Sequence, residues 1–208
     1  MPVRRKRKRL TGVGAHVGPM SLIAPNALWA PDFQFDHTID HRQVKMLNVI
    51  DEYTREALDI RVEHSIGADD VVAVLDRLVI EQGRPPAFVR FDDGPEFVAN
   101  AVTDWCAETG VDAIFIDPGS PWQNAWIESF NSRLRDELLN LWQYDSLLEA
   151  QVLIEDWRID HNINRPRRSL NQLPPLRPEP SLHADPPRLR VIKSTRRDGL
   201  IHEYRNAS

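Results

Sequence analysis

Apolar and polar positions along this chain follow two periods. Three early runs, Trp29 to Asp36, Val44 to Asp51 and Ala57 to Val62, are rich in β-branched and aromatic residues, with polar turns between them at Asp40 and at Glu52 to Arg55. They read as strands, and their short links make them antiparallel neighbours. From residue 67 to 82 the period lengthens: Val71, Val72, Val74, Leu75, Leu78 and Ile80 mark one helix, stopped by Gly83 with Pro85-Pro86 beyond. A short buried strand, Ala87 to Phe91, ends in the turn Asp92-Asp-Gly-Pro. A helix over 100–109 stops at Gly110, and Ala113 to Ile116 makes a fifth strand. Three meandering strands followed by alternating helix and strand predict an α/β fold, a mixed five-stranded sheet flanked by helices.

Two helices follow. Ile127, Phe130, Leu134, Leu138 and Leu141 recur at helical spacing, which sets Glu128, Asn131, Ser132 and Arg135 on or near the opposite face. Ser146 caps a second helix to Asn162, with Glu149 at the capping-box position; its apolar residues are expected to pack on the core or on a second subunit. Beyond Leu173 the chain is proline-rich, and residues 191–204 read as a small β-hairpin.

Composition places this pattern in one compact domain with appendages. Of 208 residues 41% are apolar, ordinary for a globular chain. No run approaches the roughly 18 apolar residues of a membrane span, so a cytoplasmic protein is expected. The lone Cys106 excludes an internal disulfide and a cysteine-rich zinc site and reads as core packing. His37 and His41 lack a third ligand and read as surface residues, and no phosphate-binding glycine loop or Ser, His, Asp hydrolase signature is present.

Charge is divided along the chain. The net charge of −5 combines +6 over residues 1–28, −17 over 29–162 and +6 over 163–208. Basic ends of this kind suit the phosphate backbone of a nucleic acid, while the acidic middle needs cations to approach one. Arg4 and Arg5 open the run Arg4 to Arg9, a candidate DNA-binding arm. The expected boundaries are a basic arm and linker at 1–28, a core at 29–165 and a proline-rich tail at 166–208.

Candidate chemistry lies in carboxylates. Asp92 stands at the C-terminal end of a strand, where open sheets carry their sites, and Glu128 lies on a helix further on, with 35 residues between them. Asp32, in Trp29-Ala-Pro-Asp-Phe33, is a third candidate. Four motifs stand in order: Trp29-x-x-Asp32-Phe33, Asn48-Val-Ile-Asp-Glu-Tyr-Thr-Arg-Glu56, Asp92-Asp-Gly-Pro-Glu-Phe97 and Pro121-Trp-Gln-Asn-Ala-Trp-Ile-Glu-Ser-Phe-Asn131. Over roughly residues 27 to 170 the chain resembles the integrase core of bacterial insertion-sequence transposases, in the retroviral-integrase-like group with an Asp, Asp, Glu triad.

The resemblance implies a ribonuclease H-like fold and a triad of Asp32, Asp92 and Glu128. It implies Mg2+, with Mn2+ as a substitute, held by those carboxylates for cleavage of element ends and strand transfer into target DNA. Two such ions would stabilise the attacking and leaving oxygens of an in-line displacement. Three clustered carboxylates without metal would raise at least one pKa by repulsion.

DNA contacts are expected at Gln123, Asn124, Asn131 and Arg135, with Trp122 and Trp126 either stacking on DNA or packing. Partners would be element-end and target DNA and further copies of the chain as a homo-oligomer. Family members carry recognition helices ahead of the linker, so end recognition is expected from a separate polypeptide, or this is a truncated copy. Asp51 reads as structural and Glu96 as a loop or cap residue. Asp93 replaces the family's usual Asn, and Arg167-Arg168 its usual His-Ser. An idle DNA-binding remnant and a ribonuclease H-like nuclease are the alternatives.

Overall fold

The computed structural model describes residues 24–92, 94–97, 99–116, 121–166, 170–176, 194–195 and 202–203. These fall into two units divided after Leu176. In the first, strands β1 (Leu28–His37), β2 (Gln43–Asp51), β3 (Ala57–Glu63), β4 (Phe88–Phe91) and β5 (Asp112–Phe115) form one sheet in the order β3-β2-β1-β4-β5. β1 pairs antiparallel with β2, and β2 with β3, whereas β4 runs parallel to β1 and β5 parallel to β4. This is the mixed five-stranded sheet that the residue pattern predicts.

Both faces of the sheet are covered. On one, Trp29, Leu47, Val49, Val89 and Phe91 meet helices α1 (Ala68–Gln82) and α2 (Asn100–Thr109) through Val71, Leu75, Leu78 and Trp105. On the other, Ala30, Met46, Ile50 and Ile60 meet α3 (Ala125–Leu134) and α4 (Leu147–Ile163) through Ile127, Phe130, Ile154 and Trp157. β2 therefore buries both of its faces, which explains its near-continuous apolar run. Cys106 is buried in the first of these cores. Gly83 and Gly110 stop α1 and α2 in the left-handed conformation, with φ of 70° and 72°, that glycine adopts without strain.

One expectation fails. The stripe from Ile127 to Leu141 is not one α-helix: a π-helical turn, Arg135–Leu139, follows α3, and the amide of Asn140 donates to the carbonyl of Arg135 at 2.8 Å. Wider turns rotate the following side chains, so Leu139 is buried and Leu141 is left exposed.

In the second unit Ser194–Thr195 (β6) and His202–Glu203 (β7) pair antiparallel. Among the described residues no helix is long and apolar enough to cross a membrane.

Candidate active site

Strand alternation decides which way the acids face. Asp32 shares a sheet face with Ala30 and Gln34, two residues to either side, so it points toward α3 and α4 rather than toward α1. β1 and β4 are paired at Trp29↔Val89, and Asp32 and Asp92 each lie three residues beyond that pair. Parallel strands thus carry both carboxylates to one level of the sheet. Glu128 is exposed in the first turn of α3.

Asp32 feels the other two acids. Asp32 has its pKa raised to about 6, first by burial, with the charges of Asp92 and Glu128 adding to the rise and bonds from Phe33 and Asn131 opposing it. Repulsion among the acids is therefore present, but burial is the larger cause of the raised pKa. Glu52, Glu56 and Asp59 are also raised, in each case chiefly by burial.

An acid whose folded pKa exceeds its unfolded one favours folding in the protonated form. Stability of the metal-free chain from these four groups is therefore fullest at low pH and declines as pH rises above the unfolded values, about 4, with the Asp32 part declining up to about 6. Melting curves should give a higher Tm at pH 5 than at pH 7, and Asp32→Asn should narrow the gap.

The second oxygen of Asp32 accepts from Asn131 Nδ2 at 2.7 Å, and its first from the amide of Phe33 at 2.8 Å. Asn131 Oδ1 in turn accepts from Asn48 Nδ2 at 2.7 Å, and Gln34 Nε2 donates to the Asn131 carbonyl at 3.0 Å. Asn48 sits opposite Asp32 in the β1–β2 ladder. One asparagine on α3 is thereby bound to two adjacent strands.

The loop after Asp92 is held with equal care. Asp92 Oδ1 accepts from the amide of Gly94 at 3.0 Å. Phe97 is fully buried, stacked on Phe33 at 4.9 Å and beside Phe91 at 5.2 Å. Lys45, buried on β2, donates to the Ile66 carbonyl at 2.9 Å, pairs with Glu96 and lies 4.0 Å above the Phe33 ring. Glu96 is thus an ion-pair partner that fastens the loop. A Cβ on Gly94 would fall 2.9 Å from Asp92 Oδ1 and 3.3 Å from Phe97. Gly94→Ala should displace the Asp92 carboxylate and weaken divalent-cation binding by about tenfold in calorimetry, with little loss of fold.

The expected DNA contacts behave differently. Asn131 does not face outward: its amide is spent on Asp32 and Asn48. Asn124 is buried at the start of α3, so it is not an exposed contact either. Arg135 directs one guanidinium nitrogen to the Phe35 carbonyl at 2.9 Å. Gln123 lies half-buried in the short 3-10 turn ahead of α3. Trp126 carries the Arg55 guanidinium 3.2 Å above its ring. Arg4, Arg5, Asp93, Pro118 to Ser120, the Arg167-Arg168 pair and the side chain of Trp122 lie outside the described residues. Asp51 has the structural role expected, accepting from the amides of Tyr53 and Thr54 at 2.7 and 3.3 Å and from that of Asn26 at 2.6 Å.

Asn48, Gln34 and Lys45 had no functional reading in the sequence. The available signal is a polar residue inside a run that is otherwise apolar, because such a residue must find a buried partner.

Two models of the integrase core domain match the chain, over residues 24–121 and 109–175. The chain belongs to the integrase core domain family. It is 42% identical over 175 residues to an uncharacterized insertion element IS476 protein of Xanthomonas euvesicatoria, covering 84% of this chain and 50% of that protein. It is 44% identical over 176 residues to an uncharacterized insertion element IS407 protein of Burkholderia multivorans, covering 84% of this chain and 63% of that one. The chain thus spans about half to two-thirds of these relatives.

Among solved structures, the HTLV-2 integrase catalytic core domain in complex with magnesium aligns with a TM-score of 0.56 at 14% identity, covering 71% of this chain and 93% of that one. The catalytic domain of Mos1 mariner transposase aligns with a TM-score of 0.53 at 13% identity, covering 64% and 70%. The integrase core of this chain has the ribonuclease H-like fold.

The donor chemistry of the site fits a hard divalent cation. Among the described residues no Lys or Arg pairs with Asp32, Asp92 or Glu128, and none donates a hydrogen bond to the Glu128 carboxylate. Carboxylates without a cationic partner, all offering oxygen, are the ligands that magnesium-type ions take. Their spacing is loose: among the described residues no three acidic, histidine or cysteine side chains are gathered closely enough to hold an ion.

Proposed function

We propose that this chain is the catalytic core of an insertion-element transposase that cleaves element ends and transfers the freed strand into target DNA. What supports this reading is an integrase-core fold in which Asp92 lies level with Asp32 on a parallel strand and the charges of Asp92 and Glu128 both act on Asp32. Asp32, Asp92 and Glu128 would hold Mg2+ or, in its place, Mn2+. When bound, such ions polarise the scissile phosphate and favour ionisation of the attacking hydroxyl.

The protein's own share is positional. Asn131 supports one Asp32 oxygen and the Phe33 amide the other, each taking one lone pair, while the Gly94 amide turns Asp92. Asp32 lies within a paired strand, Asp92 directly follows one, and Glu128 rides on a helix packed by Ile127, Phe130 and Leu134, so hydrogen-bonded elements hold the acids for DNA. Asn131 and Asn124 are withdrawn as DNA contacts by their inward positions; Gln123, Arg135 and the basic arm with Arg4 and Arg5 are retained in that role. The related insertion-element proteins and the dimeric form named for the HTLV-2 core support DNA and further copies of the chain as partners.

A branched DNA substrate tests this reading, because it places a 3′ hydroxyl beside its target phosphodiester and removes the need for recognition of element ends. With Mg2+ or Mn2+ the chain should rejoin the strands. Hydrolysis without joining would favour a nuclease, and neither reaction in either metal would overturn the assignment.

A further inference from the structure

The β2–β3 loop, Glu52 to Glu56, belongs to a motif that the carboxylate site leaves unexplained. Its Arg55 is a non-glycine residue at φ 64°, a left-handed conformation that arginine adopts only under constraint. The constraint is visible on both sides. Asp51 closes the loop through the amides of Tyr53 and Thr54, and the Arg55 amide donates to the Asp51 carbonyl at 2.9 Å. The guanidinium carbon then lies over Trp126, 3.2 Å from the ring centre, with one nitrogen donating to the Glu52 carbonyl. Its Nε is buried and has no hydrogen-bond partner among the described residues, which leaves the Trp126 ring and the Glu52 carbonyl to hold the head group. From the same loop Glu52 reaches across to Arg90 on β4 at 2.5 Å.

The two anchors land beside the two acids that come from different elements. Arg90 precedes Asp92 by two residues, and Trp126 precedes Glu128 by two. α3 has need of such an anchor: its N-cap residue, Asn124, makes no side-chain capping bond, and the Glu128 side chain has no hydrogen bond among the described residues. We infer that Arg55 is a positioning residue for Glu128, fixing the first turn of α3 through its stack on Trp126 while Glu52 of the same loop fixes the strand that delivers Asp92.

This inference rests on the integrase reading for the role of Glu128, and the test separates the two. Asparagine tolerates the left-handed conformation, so Arg55→Asn removes the guanidinium without straining the loop. In an α-helix the amides of Ser129, Phe130 and Asn131 bond to the carbonyls of Ala125, Trp126 and Ile127. Hydrogen exchange on the metal-free full chain should quicken about tenfold at those amides in Arg55→Asn and in Trp126→Leu, and stay unchanged in α1. Mn2+ affinity should fall about tenfold in both variants, and the double variant should lose no more than either single one. Arg55→Lys, which keeps the charge and loses the planar face, should lie between.

Unchanged exchange at these amides in both single variants would overturn the inference, as would faster exchange with unaltered Mn2+ affinity. If the unsubstituted chain takes up no Mn2+, the integrase reading fails, and the exchange comparison alone decides whether Arg55 holds α3.

Discussion

Asp92→Asn is expected to reduce strand joining by about a thousandfold or more, equivalent to about 4 kcal/mol of transition-state stabilisation, without unfolding the chain. The substitution is nearly isosteric, and the asparagine carbonyl can still accept from the Gly94 amide as Asp92 Oδ1 does. What disappears is the negative charge. Asp92 lies level with Asp32 on a neighbouring parallel strand, so it is the acid best placed to share an ion with its neighbour. Its charge is also one of those that hold the Asp32 pKa up, so the Asp32 pKa should move down toward the ordinary carboxylate range in the variant. Carbon-detected titration of the Asp32 carboxyl would register that shift in the metal-free chain, independently of any reaction. A variant with normal joining would remove Asp92 from the site.

The second large effect is on stability. Glu52→Ala should lower folding stability by about 3 to 5 kcal/mol, because it strands the half-buried Arg90 charge without a partner. The Glu52 and Arg90 side chains are 2% and 14% exposed and stand 2.5 Å apart. Burial raises the Glu52 pKa and the Arg90 charge draws it back, which is the signature of a pair that offsets a large desolvation cost. For a domain of this size the loss corresponds to a fall in Tm of about 10 °C. Replacing both partners by apolar residues of similar volume, as in Glu52→Leu with Arg90→Met, should recover most of it. If the double variant is as unstable as Glu52→Ala, the loss comes from the loop and not from the stranded charge.

Periodicity alone carried the sheet, because period-2 runs separated by turn residues leave few alternatives for β1 to β3, and because Gly83 and Gly110 mark helix ends through a conformation that only a few residues accept. The π-helical turn after α3 was not legible: Leu138 and Leu141 continue the same apolar stripe, and a wider backbone turn leaves no mark in the residue types. The site was legible in the same uneven way. Asp32, Asp92 and Glu128 stand in motifs whose spacing carries the resemblance. The inward turn of Asn131 depends on Asn48, 83 residues away in sequence, and a polar residue on a helix is otherwise read as facing solvent. Lys45 and Arg55 escaped notice for a related reason. Each is a charged side chain held by an aromatic face and a backbone carbonyl, and Lys45 also by Glu96, 51 residues away in sequence, so no spacing betrays the partners.

The central claim is that Asp32, Asp92 and Glu128 form one cation site. Calorimetric titration of Mn2+ into the purified chain, beside Asp32→Asn, Asp92→Asn and Glu128→Gln, tests it most directly. Saturable binding is expected in the unsubstituted chain, with a loss of affinity of about tenfold or more in each variant. Equal binding in all four chains, or none in the unsubstituted chain at millimolar Mn2+ with DNA present, would contradict it.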